Sequence, residues 1–424
     1  MEKQIRKVLS VMLLMLLLSG AATAQDGVTI SLWHGWTGAD NTEMLNNVLD
    51  KFNMENEDGI TVEVTALSWD DLFSQLVLSA AGNPPDVVMF HNSEVPDFAG
   101  KGILRPLDDV LEAVPVNLEG VPQNIIDISC VDGQFFCLPG DLHMMGLYYN
   151  KDLAAAAGLD PESPPVTGEE FLTWARAMTL SDDAGETTQW GLDMGPTGAL
   201  PRWAWFGMLH QFGGSFLGED GLSAVDSEAS HMALQTLVDM FDEGLTSGGA
   251  LIGDVGAFWA ERAGMLINGP WNVNSLTNSG INFGVTHVPT FGDTPATWAN
   301  THCLSLTHQA TDERYESGMK FIRWFYNNYA LPAVSVGIIP VSPDAQADPI
   351  FTADPRYEHY IPFVESLQFS VLEPVIPQYT AIFSFGKPTA LVTNLEAALV
   401  GDKTVEQALA DMKAGIDEQL QDDY

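Results

Sequence analysis

The stretch AAGNPPDVVMFHNSE, residues 80–94, sets the fold class. Gly82 stops a helix, Pro84 and Pro85 forbid its continuation, and Val87-Val88-Met89-Phe90 is an apolar run without polar alternation. A strand that is apolar on both faces belongs inside a parallel sheet covered by helices on each side. Upstream, Leu72, Phe73, Leu76 and Val77 form a helical stripe behind Ser68-Trp69-Asp70-Asp71, a capping-box spacing with Asp where Glu is usual. Ile60, Val62, Val64 and Ala66 alternate before it as a strand. Met44, Leu45, Val48, Leu49 and Phe52 recur as a helix behind candidate caps Asp40, Asn41 and Thr42, and Val28, Ile30 and Leu32 alternate again. This βαβαβ order predicts an α/β architecture. Such sheets bind ligands at the carboxyl ends of their strands, so Trp33 to Gly38, after the first strand, and His91 to Glu94, after the third, should face one crevice. Trp33 continues the strand and reads as core. Trp36, beyond Gly35, reads as crevice wall, and His34 stays open between buried structure and ligand contact.

At 424 residues the chain exceeds one ordinary core. A second α/β lobe opens at GLYYNKDL (146–153), a strand ending at Asn150, in which Tyr148 and Tyr149 read as structure. Thr167-Gly168-Glu169-Glu170 has the capping-box spacing and starts a helix carrying Phe171, Leu172, Ala175 and Met178. Helical patterns cover 202–211, 228–242, 313–329 and 404–420. GMLINGPW (264–271) is a short strand running into Pro270, a residue suited to a helix start, which places Trp271 on the first turn at a strand's carboxyl end. No internal repeat or long linker separates the lobes, so short crossings must join them.

Residues 1–24 combine Lys3, Arg6 and Lys7 with an apolar run from Val11 to Leu18 and Ala22-Thr23-Ala24, the form of an export signal cleaved before Gln25. The run is shorter than the roughly 20 residues that span a bilayer, and Gln25 is not the cysteine of a lipid-anchored protein. A periplasmic or secreted product is expected. The 57 acidic and 17 basic residues give a net charge of -40, and losing the signal makes the mature chain two charges more negative. This charge repels phosphate backbones and anionic membranes, which excludes nucleic acid as a partner. Cys130 and Cys137 flank a hairpin signal, Asp132-Gly133, and an exported chain can oxidise such a pair. Cys303 reads as a small buried residue.

Landmarks along nearly the whole mature chain carry a resemblance: LWHGWTGAD, AAGNPPDVVMF, GKGILRPLDD, LYYNKDLAAAAGLD with PPVTGEEF, HQFGGSFL, GMLINGPW, FGVTHVPTF and EPVIPQYTAIF. Each is weak alone; together, in this order, the chain resembles the extracellular solute-binding proteins that feed sugar to ABC importers, the maltose-binding-protein-like family. The resemblance implies a two-lobed type II periplasmic-binding fold, each lobe a mainly parallel sheet flanked by helices, with the ligand in the cleft between them. It places the first lobe at 25–140 plus 285–342 and the second at 141–284 plus 343–424. It also implies a monomer that binds a carbohydrate, delivers it to permease subunits, needs no cofactor and performs no chemistry.

Sugars present hydroxyl edges and apolar C–H faces, so a sugar site needs aromatic plates and polar side chains. Laid on the family pattern, Trp203 falls at a stacking tyrosine, Trp271 and Phe383 at stacking tryptophans, and Phe90 at another aromatic of the cleft. Trp36 and Thr37 stand at the first strand's exit, Thr37 in place of an acidic contact. Ser93 and Glu94 replace an Asp and an Arg, His143 replaces a Glu, and His91 and Asn92 are additional polar groups. Losing the acid–arginine pair argues against maltodextrin itself and leaves other mono- or oligosaccharides open. Trp298 and Asn300 follow VPTF, in a loop that approaches the ligand in relatives. The rival within the family is a glycerol-3-phosphate or polyol binder. Phosphate asks for cleft arginine or lysine, and the candidates Arg202 and Arg262 read as surface ion-pair partners. A glycoside hydrolase needs a spaced carboxylate pair, and only Glu94 falls on a strand exit. The nine histidines show neither HExxH nor His-x-His spacing, so no metal is expected.

Overall fold

The computed structural model describes residues 27–37, 39–113, 116–252, 255–383 and 388–422; the expected export signal lies outside them, as do the side chains of 38–44 with the three cap candidates. The first lobe begins with β1 (Thr29–His34), α1 (Ala39–Glu55), β2 (Thr61–Ala66), α2 (Trp69–Ser79), β3 (Val87–His91) and α3 (Val95–Gly100). After a small hairpin come β4 (Asp141–Met144) and β5 (Gly146–Asn150). The second lobe continues with α4 (Gly168–Met178), β6 (Thr187–Leu192), α5 (Ala199–Gln211), α6 (Glu228–Asp242), β7 (Ala263–Asn268) and β8 (Phe283–Thr286). The chain then passes through β9 (Thr297–Asn300), β10 (His302–Thr307), α7 (Asp312–Asn327), β11 (Ser370–Leu372), α8 (Tyr379–Phe383), α9 (Ala390–Leu399) and α10 (Val405–Gln421).

Three sheets organise these elements. In the first, β1 lies between β2 and β3 and runs parallel to both. β10 then pairs antiparallel with β3, setting His302 opposite His91 and Cys303 opposite Phe90. In the second, β6 and β7 are parallel, whereas β5 is antiparallel to both β7 and β8. The parallel order read from the apolar run at 87–90 therefore covers β1 to β3 and only one pair of the second sheet. A strand arriving from elsewhere in the chain is not joined by a βαβ crossover and has no reason to run parallel. The third sheet is small: β4 pairs antiparallel with β9, and β9 pairs parallel with β11. One residue separates β4 from β5 and β9 from β10, so this connector sheet feeds directly into the other two.

Local chemistry sets the ends of these elements. Thr167 and Glu170 form the full capping box of α4, while at α2 Ser68 accepts from the Asp71 N–H and donates to the Asp71 carboxylate instead. The shorter Asp side chain closes on the hydroxyl and not on the backbone. Asp132 and Gly133 both take positive φ (51° and 79°), as the predicted hairpin turn requires. Cys130, Cys137 and Cys303 are free thiols. α5 is buried on every side from Pro201 to Met208, so Arg202 is not at the surface. Its Nη1 donates to the Phe383 carbonyl at 2.8 Å and its Nη2 lies 3.7 Å from buried Glu373. Arg262 is exposed and donates to the Thr188 carbonyl. No helix among the described residues is long and apolar enough to cross a membrane.

Two histidines packed into this framework predict acid sensitivity. Burial lowers the pKa of His34, which accepts from the Trp36 N–H at 3.1 Å, and of His210, beside Phe206, to about 4 from 6.5. The unfolded chain binds these protons below pH 6.5 while the folded chain does so only below about 4, so stability falls as pH drops through that window. At pH 5 each group should cost of order 2 kcal/mol relative to pH 7.5. Urea melts of His34→Gln and His210→Gln should show a flatter pH dependence than the parent; equal slopes would refute the assignment.

Candidate functional site

The exits of β1, β2 and β3 converge with α5 and the end of β7 on a cavity of about 510 Å³. The first lobe contributes Gly35, Trp36 and Thr37 after β1, Trp69 at the start of α2, His91 at the end of β3 and His302 at the start of β10. The second contributes Leu200 and Trp203 from α5, with Asn268 and Trp271 after β7. His143 of β4 and Trp298 of β9 enter from the connector sheet, and Val336 and Ile338 complete the wall.

The tryptophans form two groups of plates. Trp203 stacks on Trp298 with ring centroids 4.2 Å apart and planes within 22°, and Trp271 meets Trp203 edge-on at 5.9 Å. Across the cavity Trp69 lies 14° from parallel over His302 at 5.2 Å, and Trp36 meets His302 edge-on at 5.4 Å. Glycine seats two of these rings. A Cβ on Gly35 would lie 2.1 Å from the Trp69 ring, and one on Gly269 would lie 2.0 Å from the Trp271 ring. The Asn268-Gly269-Pro270-Trp271 turn is held from below, because the Tyr148 hydroxyl donates to the Gly269 carbonyl at 2.7 Å. Trp36 Nε1 is buried without a protein partner, so a hydroxyl reaching it would satisfy an otherwise costly N–H.

The polar floor is a cluster of histidines. His91, His143 and His302 are all buried, and each offers a ring nitrogen within 4.8 Å of the others. Behind them sits Asp141, fully buried: His143 Nδ1 lies 2.9 Å from Oδ1, His302 Nδ1 lies 2.9 Å from Oδ2, and the Tyr329 hydroxyl donates to Oδ2 at 2.6 Å. Burial would raise the Asp141 carboxyl, but His302 and the hydrogen bonds from His143 and His302 outweigh it and hold it well below the usual carboxylate range. Burial, then neighbouring His302, lowers His143 to about 3, and burial also lowers His302. An ionised carboxylate only accepts, so both imidazoles carry their proton on Nδ1 and keep an Nε2 lone pair.

Six of the sequence-derived site residues line this cavity: Trp36, Thr37, His143, Trp203, Trp271 and Trp298. The other six do not. Phe90 is fully buried in the first lobe against Phe98, because side chains alternate along β3 and His91 takes the cavity face. Asn92 donates to Ser129 Oγ at 2.8 Å. Asn300 donates to Ser93 Oγ at 3.0 Å, and Ser93 donates to Glu94 at 3.1 Å. Ser93 and Asn300 are spent on joining the end of β3 to β9, and Asn92 ties the same turn to Ser129. Glu94 and Phe383 line a second cavity of about 510 Å³ between α2, α3 and α8, where the Thr380 hydroxyl donates to Asp97 at 2.6 Å. Arg202 and buried Glu373, which also accepts from the Tyr379 hydroxyl, lie in the packed second lobe, and burial raises the Glu373 carboxyl against the lowering effect of Arg202.

Sequence reading missed Trp69, Asn268 and the grouping of His302 with His91 and His143. Trp69 had a signal: Ser68 and Asp71 explain the cap, leaving a large ring at a strand exit unexplained. The histidines had none, being 52 and 159 residues apart. Only the β3–β10 register, which sets His302 opposite His91, brings them together, so the absence of a metal motif along the chain does not describe the folded arrangement.

Residues 47–359 match the family described as bacterial extracellular solute-binding protein. A binding protein of Brucella abortus is 27% identical over 281 residues, covering 64% of this chain and 65% of that one, so the match spans under two thirds of the relative's length. The sn-glycerol-3-phosphate-binding periplasmic protein of Brucella abortus is 25% identical, covering 61% of each chain. The maltodextrin-binding protein of Bacillus subtilis is 24% identical, covering 58% of each. In fold, the crystal structure of the cyclic α-maltosyl-1,6-maltose binding protein from Arthrobacter globiformis superposes with a TM-score of 0.77 at 24% identity, over 93% of this chain and 99% of that one.

Proposed function

Because the chain belongs to the bacterial extracellular solute-binding protein family, we propose that it is the receptor of an ABC importer and closes on a neutral mono- or oligosaccharide for delivery to a membrane permease. The observation that carries this reading is the cavity wall. It presents five tryptophans and, among the described residues, no lysine or arginine. Tryptophan plates match the C–H faces of a pyranose, whereas a phosphate ester asks for a guanidinium or ammonium. A glycerol-3-phosphate ligand, suggested by the names of several Brucella relatives, is the second reading. It fits this wall less well, since Arg202 is committed to Phe383 and Glu373.

The protein works as a monomer by a binding equilibrium and performs no catalysis. Trp36, Trp69 and His302 come from one lobe, Trp203 and Trp271 from the other, so a bound sugar favours the closed state by its differential affinity for it. The two bodies are 25–140 plus 285–342 and 141–284 plus 343–424, with the second boundary moved from 284/285 to β9, because Val285 and Thr286 pair with β5 in the second sheet. The signal at 1–24 is removed on export. Affinity near micromolar, about -8 kcal/mol, suits such a receptor.

Thermal unfolding with a panel of mono- and disaccharides, maltodextrins, polyols and glycerol 3-phosphate tests this reading. A ligand at 100 times its Kd should stabilise by about 2.7 kcal/mol. A neutral sugar that raises the Tm and is recovered unchanged supports the assignment. A shift with the phosphate ester alone transfers it to the second reading.

A further inference from the structure

We propose that His91, His143 and His302 form a binding site for one divalent transition-metal ion, of the zinc class, in the floor of the cleft. The site is built from the backbone up. Register sets His302 directly across from His91 on antiparallel strands, and the pairing of His143 with Asn300 holds the third imidazole beside them. Ring centroids are 4.3 Å apart for His143 and His302, 4.9 Å for His91 and His302, and 5.7 Å for His91 and His143.

The second layer is that of a metal site. A ligating imidazole donates its remote N–H to a carboxylate, which fixes the tautomer and strengthens the lone pair. Asp141 stands at that position for both His143 and His302, anchored by Tyr329, and a Glu94 oxygen lies 3.8 Å from His91 Nδ1. Tetrahedral zinc sets nitrogen donors about 3.4 Å apart, so nitrogens now within 4.8 Å would draw together by side-chain rotation to close on it. Three protein ligands leave a coordination position open. All three histidines line the tryptophan cavity, so that position faces the bound solute, whose hydroxyl oxygen would complete the shell. Three imidazoles favour zinc, nickel or copper over the oxygen-seeking magnesium and calcium.

The test uses metal alone. Chelator-stripped protein is titrated with Co²⁺ and with Zn²⁺, followed by calorimetry and by the visible ligand-field absorption of cobalt. The expected result is one tight ion per chain, a tetrahedral cobalt spectrum bleached by Zn²⁺, and affinity at least 100-fold weaker in His143→Gln and His302→Gln. Asp141→Asn should keep the spectrum and weaken binding about 10- to 100-fold. Melts of the metal-free variants show which remain folded, and His91→Gln, at a strand end, carries the test if the others do not. With so acidic a surface, ions will also bind weakly through oxygen; saturation only at many ions per chain, or binding untouched by His91→Gln, overturns the proposal. The sugar panel repeated on stripped protein keeps the solute reading separate, because tryptophan stacking does not need the ion.

Discussion

Trp271→Ala should raise the Kd for the recognised sugar at least tenfold and shift the unfolding temperature of the free protein by only a few degrees. The ring is half-buried, stands on a single turn after β7, and touches Trp203 and His143 edge-on. Its removal therefore opens a surface and not a sealed hole. Stacking by a tryptophan face contributes about 0.5–1.5 kcal/mol beyond the area it buries, and with that lost burial added the change reaches the roughly 1.4 kcal/mol of a tenfold shift. Titration of intrinsic fluorescence, with the half-buried Trp259, which does not line the cavity, changed as a control, measures this directly. An unchanged Kd would remove Trp271 from the ligand's path.

Asp141→Ala should destabilise the free protein by about 3–5 kcal/mol, from leaving its hydrogen-bond donors without an acceptor. The carboxylate is fully buried and accepts from two imidazoles and the Tyr329 hydroxyl. Alanine leaves all three donors without this acceptor, and each orphaned donor costs about 1–3 kcal/mol. For a chain of this length the Tm should fall by several degrees. Asp141→Asn, which retains acceptor capacity at one oxygen, should lose less than alanine. If alanine melts with the parent, the carboxylate's desolvation cancels its hydrogen bonds and the floor needs another explanation.

How much of this was legible in the sequence follows from the range of the interactions. Apolar periodicity between Val28 and Phe90, the box at Thr167 and Glu170, and the Asp132-Gly133 turn are local, and the elements they announce are present. Strand direction was less readable, because β5, β8 and β10 take their orientation from where the chain re-enters a sheet. In the cleft, Trp36, Trp203, Trp271 and Trp298 stood out as large rings near strand ends and helix starts, and they line the cavity. Phe90 and Phe383 did not follow, since a family position identifies a residue's place on an element and not which face it turns to the ligand. The aspartate behind the histidines could not be read at all: Asp141 is one of 57 acids, and only folding sets it beside Tyr329, 188 residues away.

The glycines beneath the tryptophans carry a consequence for selectivity. Because the Trp69 and Trp271 rings occupy the space where Cβ atoms of Gly35 and Gly269 would stand, their orientation is imposed by bare main chain. Such a plate has little torsional freedom left to lose when a ligand lands on it, and rigid receptors discriminate by shape because they cannot adapt to a near miss. Any side chain at either glycine would tilt its plate and re-grade the ligands this cleft accepts without altering a single contacting residue.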